Sequence, residues 1–384
     1  MSAQSTMRRK RYSVVALLLL ISMVQLIAPF KAPLQGSAYA SPTSGATTCT
    51  KLQFNVTLAP KAVTRYPVIG WLCSKPSRIG RTVQVLLHGS TLNHMYWDFP
   101  LRPAMYSYVH SLTDAGYATL NLDRLGSGAS GLPPGDRVTV DASAYVVHQI
   151  VHSLKTGHSP DSAFGKVLLV GHSTGAAVAV VEASRYADVD GVILTGLYHT
   201  FAPTASVIGT LYTPAAADHK FASRSMPAGY VTTLPGTQAT INLYGPNADA
   251  DVIKLVEADK DIAPIGENAG FARVVTNPDV VQRVSVPILS VVGQYDAYFC
   301  TGPSCPEAQA EPAAYDCKRQ GAGALGVPAT VCAPAAEVEL VTFPNAGDAL
   351  NLQRNAAGWF AIARHWSDRH FGPCPQGCQA KAVG

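Results

Sequence analysis

The segment Gly-His-Ser-Thr-Gly at residues 171–175 combines a potential nucleophile with two glycines, in a chain of 384 residues. A short apolar run at residues 166–170 precedes it, and a stretch of small residues at 176–183 follows it. Where a strand precedes this five-residue motif and a helix follows it, the motif forms a sharp turn that lifts the serine hydroxyl above the sheet. The glycines allow the close packing that such a turn requires. The pattern predicts that Ser173 is a nucleophile on a strained turn.

The rest of the chain must supply the elements that place this serine. Short apolar runs alternate with helix-compatible stretches, which predicts an α/β fold with a mainly parallel sheet and helices on both faces. The predicted strands are residues 51–59, 67–74, 82–87, 117–122, 166–170, 190–195, 286–292 and 337–341. The predicted helices are residues 106–115, 141–154, 174–186 and 353–370.

The alternation is interrupted at residues 200–283, which divide the predicted core into residues 41–199 and 284–384. We predict that this segment is a cap over the carboxyl ends of the strands, where ligands bind in open α/β sheets. It offers one charged helix, at residues 250–260, and no buried strand pairs. The alternative is a long disordered insertion, which its apolar residues argue against. Residues 299–335 form a second, cysteine-rich loop within the core.

Five motifs resemble, in their order and spacing, the α/β-hydrolase superfamily, and more closely the cap-bearing exported serine hydrolases of bacteria. They are Leu-Leu-His-Gly-Ser-Thr at 86–91, Asp-Arg-Leu-Gly-Ser-Gly-Ala-Ser at 123–130, the motif at 171–175, Gly-Gln-Tyr-Asp at 293–296, and the segment 344–355. The likeness covers most of residues 80–371. It implies the α/β-hydrolase fold with an inserted cap, and hydrolysis of a small ester or similar acyl substrate.

The resemblance also assigns roles to residues. It makes the backbone N–H of Ser90, or of Thr91, one donor of an oxyanion hole, and the N–H of Thr174 the other. Losing one such donor typically costs on the order of 3 kcal/mol of transition-state stabilisation. Asp296, at the end of a strand, is implied to be the acid of a catalytic triad. Three further residues are interpreted as structural: His88, Asp123, and His172 on the opposite side of the turn.

The third member of the triad is where this sequence departs from the family. The resemblance predicts a histidine in a segment Ala-Gly-His-x-Leu-Asn-Leu, but residues 346–352 read Ala-Gly-Asp-Ala-Leu-Asn-Leu. Asp348 therefore stands at the histidine position. A carboxylate with a pKa near 4 is a far weaker base than an imidazole. If Asp348 faces Asp296, repulsion should raise one pKa and leave a shared proton.

Two main hypotheses follow from this departure. In the first, the protein is a serine hydrolase with Ser173 as nucleophile, and Asp348 is a damaged or an unusual base. In the second, the protein has lost catalysis and binds a small apolar ligand or a partner. Dehalogenase or epoxide hydrolase chemistry ranks lower, since those enzymes have aspartate at the turn. Sequence spacing does not support any other histidine as the replacement for the base. The candidates are His94, His199, His219, His365 and His370.

The first 40 residues have the pattern of an export signal, with a basic start, a long apolar stretch and an Ala-Tyr-Ala site before Ser41. An uncleaved membrane anchor is the alternative. Removing the five basic residues of this segment takes the formal charge from +4 to −1. We therefore expect a secreted or extracytoplasmic protein without nucleic-acid or, after cleavage, membrane partners.

All eight cysteines follow residue 40, and an even number in an exported chain favours disulfides. We predict the pairs Cys49–Cys73 and Cys374–Cys378, with the other four cysteines pairing among themselves. Zinc binding by these cysteines is the disfavoured alternative, because no Cys-x-x-Cys pair or histidine cluster accompanies them. The chain has no dinucleotide-binding glycine fingerprint and no phosphate loop. We therefore predict neither a metal nor a cofactor.

Overall fold

An eight-stranded sheet forms the centre of the protein in a computed structural model that describes residues 46–75, 82–157, 163–300, 302, 304–315 and 337–372. The strands are β1 (Thr48–Val56), β2 (Tyr66–Ser74), β3 (Thr82–Leu87), β4 (Ala118–Asp123), β5 (Lys166–His172), β6 (Gly191–Thr195), β7 (Tyr212–Pro214), β8 (Tyr230–Thr233), β9 (Ala263–Pro264), β10 (Ile288–Gly293) and β11 (Val338–Phe343). The sheet order is β1-β2-β4-β3-β5-β6-β10-β11. The pairs β1–β2 and β2–β4 are antiparallel, and the others are parallel.

Helices cover both faces of this sheet, as the sequence predicts. They are α1 (Pro103–Tyr106), α2 (Tyr108–Asp114), α3 (Val140–Thr156), α4 (Thr174–Tyr186), α5 (Ala205–Gly209), α6 (Gln238–Asn242), α7 (Ala250–Asp259), α8 (Gly266–Thr276), α9 (Pro306–Ala310) and α10 (Ala356–Phe371). Side chains of α3, α4 and α8 share one buried apolar cluster. Those of α2 and α10 belong to a second one.

The alternation of side chains along each strand explains why there are two clusters. In β5, Val167 and Leu169 belong to the cluster of α3, α4 and α8. Their neighbours Leu168 and Val170 belong to the cluster of α2 and α10. Successive residues of a strand point to opposite faces, so a central strand buried on both sides reads as a continuous apolar run. This is why the central strands could be identified from sequence.

The segment 200–283 is more regular than the sequence indicates. Strands β7, β8 and β9 form a separate antiparallel sheet, where no strand pairs were expected. These strands have only two to four residues, too few to give an alternating pattern. The charged helix expected at residues 250–260 corresponds to α7. Residues of α8 pack in the main core, so the end of the segment contributes to the core itself.

Two disulfides lie within the described residues. Cys49 and Cys73 are directly opposite each other on β1 and β2 and are bonded, in agreement with the predicted pair. Cys300 and Cys305 form the second bond, consistent with pairing within the middle group. The predicted pair Cys374–Cys378, the export signal and residues 316–336 of the cysteine-rich loop lie outside the described residues. No helix in the described ranges is both long and apolar enough to cross a membrane.

Candidate active site

Ser173 lies on a strained turn between β5 and α4. Its backbone has φ 51° and ψ −117°, a conformation that side-chain-bearing residues rarely adopt. A Cβ atom on Gly175 would collide with the carbonyl oxygen of Leu87, and one on Gly171 would collide with the backbone of Gly175. Both glycines of the motif are therefore required for the turn to pack against the sheet. The local structure agrees with the nucleophile turn expected from the sequence.

The loop after β3 approaches this turn closely. A Cβ atom on Gly89 would lie 3.2 Å from the Cβ of Ser173, so Ser90 follows a residue in contact with the nucleophile candidate. Thr174 is the first residue of α4, where backbone N–H groups have no intrahelical acceptor. Among the described residues, the N–H groups of Ser90 and Thr174 have no protein acceptor. Two such amides are suited to stabilise negative charge on an oxygen atom.

His88 supports the loop that carries Ser90. Burial, followed by the charge of Arg124, lowers the pKa of His88 to about 3, so its ring is neutral. Its Nδ1–H donates to the carbonyl oxygen of Gly89 over 2.8 Å, and Nε2 accepts from the N–H of Arg124 over 3.1 Å. The hydroxyl of Ser127 lies 2.9 Å from the same Nε2. This geometry agrees with the structural role expected for His88.

Removal of the Ser127 hydroxyl should weaken this support. We expect Ser127→Ala to lower the free energy of unfolding by about 1 kcal/mol, since the buried carbonyl oxygen of Arg124 loses the hydrogen bond that the Ser127 hydroxyl donates over 2.9 Å. Urea denaturation would measure this change. The control is Ser206→Ala, at an exposed serine, for which we expect a change within about 0.5 kcal/mol. Equal effects of the two substitutions would contradict the assignment.

Asp296 and Asp348 face each other at the ends of two neighbouring strands, β10 and β11. Both side chains are buried, with exposed fractions of 0% and 2%. Asp296 Oδ1 accepts a hydrogen bond from the N–H of Tyr298 over 2.8 Å. Burial, and then the charge of Asp348, raise the pKa of Asp296 well above its usual value. Burial and repulsion therefore favour retention of a proton on Asp296, the direction expected for two facing carboxylates.

His172 lies beside this acid pair. Its Nε2 is 3.4 Å from Asp348 Oδ2, its Nδ1 is 3.2 Å from the Thr195 hydroxyl, and its ring stacks on Tyr96 with centroids 4.4 Å apart. No sequence motif connected His172 with Asp348. Within the described residues His172 Nε2 has no hydrogen-bond partner, so its contact with Asp348 is one of proximity. No hydrogen bond joins His172 to the Ser173 hydroxyl among the described residues.

The other histidines have different surroundings. His94 is paired with Asp123 and His199 with Glu311, each through an Nδ1 to carboxylate contact of 2.8 and 2.7 Å respectively. The remaining candidates are His370, near Glu337, and His219 and His365 on the surface. In the part of the chain that the structure describes, none of the five is hydrogen-bonded to Ser173. Asp123 also accepts from the N–H of Ala129, which agrees with its expected role in the loop.

Two tyrosines near the acid pair were missed by sequence reasoning. The hydroxyls of Tyr212, on β7, and Tyr298 lie 2.9 Å apart. Ser90 is a further hydrogen-bonding neighbour of Tyr212. Burial raises the pKa of both tyrosines, and the charge of Asp348 adds to it. The segment 200–283 thus contributes a hydroxyl group to the site beside Ser90.

Comparison with known proteins agrees with this architecture. The solved structure of a thermophilic esterase from Thermogutta terrifontis is 18% identical, with a TM-score of 0.55 over 84% of this chain and 99% of the esterase. A monoacylglycerol lipase from Paleococcus ferrophilus is 14% identical, with a TM-score of 0.52 over 84% of this chain and 99% of the lipase. At these identities the likeness shows the fold. No curated protein matches the chain in sequence.

A third similar structure is 2-hydroxy-6-oxo-6-phenylhexa-2,4-dienoate hydrolase from Rhodococcus sp. strain RHA1. It is 17% identical, with a TM-score of 0.51 over 85% of this chain and 99% of the hydrolase. The sequence itself matches the family described as the alpha/beta hydrolase family over residues 84–362, which is most of the chain. That range includes the strained turn at Ser173 and both members of the acid pair. The protein belongs to the α/β hydrolase family.

Proposed function

We propose that this protein is an exported serine hydrolase of small esters or similar acyl compounds, with Ser173 as nucleophile and an impaired base at Asp348. The observation that carries the proposal is the backbone of Ser173, strained at φ 51° between β5 and α4. Such strain persists where the surrounding structure enforces it, and it clusters at active sites. The N–H groups of Ser90 and Thr174, which donate to no acceptor in the described ranges, support the same role. The disulfides are compatible with an extracellular location.

The proposed reaction follows acyl transfer to serine. Ser173 Oγ attacks the carbonyl carbon of the ester, and the oxygen of that carbonyl gains negative charge beside the N–H groups of Ser90 and Thr174. The hydroxyl proton must leave as the new C–O bond forms. Collapse of the intermediate expels the alcohol, and water then releases the acid from Ser173. The step that suffers is proton removal, because the acid pair offers carboxylate rather than imidazole.

The acid pair predicts how this weak activity depends on pH. While Asp296 keeps a proton, the pair offers only a weak base. As the pH rises through the raised pKa of Asp296, the last proton leaves and the pair becomes a stronger base. We therefore expect the Ser173-dependent rate to increase towards alkaline pH. Hydrolysis of p-nitrophenyl acetate by the wild type, after subtraction of the rate of Ser173→Ala, measures this.

The same experiment tests the proposal itself. Oxyanion stabilisation and binding without a base retain roughly 10³–10⁴-fold catalysis over water, so a low rate is expected. In Ser173→Ala the part of the rate that passes through an acyl-serine should be lost, which leaves the level that oxyanion stabilisation and binding alone support. A wild-type rate equal to that of Ser173→Ala at every pH would argue for the second candidate function. In that case the protein is a non-catalytic relative that binds a small apolar ligand or a partner, which the loss of the imidazole favours.

A further inference from the structure

Three potential metal ligands meet on the side of the protein covered by α3 and α4. They are His148 on α3, Glu182 on α4, and Asp188 in the loop that follows α4. One ligand atom from each residue lies within 4.8 Å of the other two. Glu182 is nine residues beyond Ser173, which corresponds to about 13 Å along a helix. This cluster is therefore separate from the candidate active site.

Glu182 is a buried carboxylate whose neighbour is another carboxyl group, that of Asp188. Its side chain has an exposed fraction of 0%, and neither carboxylate oxygen has an assigned hydrogen-bond donor within the described ranges. Asp188 Oδ1 also lacks a donor there. Two carboxyl groups at a buried position are costly to ionise without a counter-charge, so this site favours either a shared proton or a bound cation.

We propose that His148, Glu182 and Asp188 bind a divalent transition-metal ion of the zinc class. One imidazole nitrogen and two carboxylate oxygens are a ligand set that zinc accepts, with water in the fourth position. The two ionised carboxylates balance the charge of the ion. Glu182 supplies the buried ligand, and the other two residues supply the ligands that face solvent.

The geometry allows an ion to enter. His148 and Asp188 have side chains 31% and 25% exposed, which leaves a path for the ion and for a water ligand. Their Nδ1 and Oδ2 atoms are 2.7 Å apart, whereas tetrahedral zinc ligands lie about 3.3 Å apart. Binding would therefore require a small rotation of the partly exposed Asp188 side chain. The ring of Tyr186 stacks on His148 with centroids 4.1 Å apart, which orients the imidazole.

Lys155, the cation whose charge acts on Glu182, does not fill the site. Lys155 Nζ contacts Asp190 Oδ2 at 3.1 Å, and it affects Glu182 only as a more distant charge. An ion bound by the three ligands would instead join α3 to the end of α4. We therefore expect the ion to stabilise the fold and to leave catalysis at Ser173 unchanged.

Zinc titration of the full chain, after treatment with a chelator and dialysis, tests this proposal. We expect calorimetry to show one bound Zn²⁺ per chain in the wild type, with binding at least tenfold weaker in His148→Ala and in Glu182→Gln. The matched control is His152→Ala, one turn further along α3 at an exposed position, which should bind as the wild type does. Saturating zinc should raise the Tm of the wild type by about 5 °C.

Two results would overturn the assignment. One is a wild type that takes up no stoichiometric zinc, which would mean that Glu182 and Asp188 share a proton instead. The other is equal zinc affinity in the wild type, His148→Ala and His152→Ala. If Glu182→Gln does not fold, the zinc affinity of His148→Ala, at a partly exposed position, still tests the assignment. Ester hydrolysis is read separately, so failure of the zinc site leaves the proposed function untouched.

Discussion

Replacement of Asp348 by histidine is expected to raise the hydrolysis of short p-nitrophenyl esters by about 10²–10⁴-fold, the usual contribution of a positioned acid–base group. Asp348 faces Asp296 at the ends of neighbouring strands, which is the relation that a triad histidine has to its acid. An imidazole there can donate one N–H to Asp296 and accept the Ser173 proton at its other nitrogen. Its pKa near neutrality suits the task.

The substitution also removes a repulsive contact. With Asp348 gone, Asp296 loses the like charge that helps to raise its pKa, so it can ionise and stabilise an imidazolium. Room at this position depends on Gly196, whose backbone has φ 59° and where any side chain would collide with Asp348. Gly196 must therefore be left unchanged in the experiment.

Two controls isolate the new base. Asp348→Asn removes the charge without supplying a base, and we expect no comparable gain from it. The double variant Ser173→Ala with Asp348→His should lose the gain entirely. Steady-state kcat/KM for p-nitrophenyl acetate is the measurement. A gain that survives the loss of Ser173 would show that the reaction does not use this serine.

The acid pair should also make stability depend on pH, and this is the second large effect. The pKa of Asp296 in the folded protein lies above its value in the unfolded chain. Between these two values the folded state binds more protons, so its stability is full at acidic pH and declines as the pH rises. Asp348→Asn removes one cause of the raised pKa. We therefore expect this variant to be more stable than the wild type at pH 9 and to lose the advantage near pH 5.

The difference in the free energy of unfolding between Asp348→Asn and the wild type has an upper limit. One proton contributes up to about 1.4 kcal/mol per pH unit within the window. Urea denaturation of the two proteins from pH 5 to pH 9 measures it. The titration of Glu182 changes the free energy of unfolding equally in the wild type and in Asp348→Asn, so it cancels in the comparison. Asp251→Asn, at an exposed acid, should run parallel to the wild type. Parallel curves for Asp348→Asn and the wild type would mean that the two carboxyls do not interact.

Sequence reasoning succeeded where local patterns decide the structure. The bounds predicted for β3 and α4 are those observed, because a continuous apolar run and a Gly-x-Ser-x-Gly turn both act over a few residues. The sequence raised a meeting of Asp296 and Asp348 only as a condition, and the structure brings the two carboxyl groups together. Each follows a parallel strand, and the carboxyl ends of neighbouring parallel strands lie at one edge of the sheet.

The sequence did not reveal contacts between distant segments. The hydroxyls of Tyr212 and Tyr298 meet although 86 residues separate them, and neither belongs to a motif. Glu182 lies in a helix whose small residues indicated only close packing. The cysteines were the metal ligands that the sequence suggested, whereas the proposed ligands are a histidine and two acids on separate elements. The meeting of these three ligands depends on how α3 and α4 pack, which periodicity alone does not determine.

Labelling with a fluorophosphonate probe tests most directly whether Ser173 is a nucleophile that lacks only its base. We expect slow labelling of the wild type and rapid labelling of Asp348→His. Mass spectrometry of peptides should locate the adduct on Ser173. The double variant with Ser173→Ala should remain unlabelled. If a folded Asp348→His protein never forms this adduct, the assignment of Ser173 is wrong.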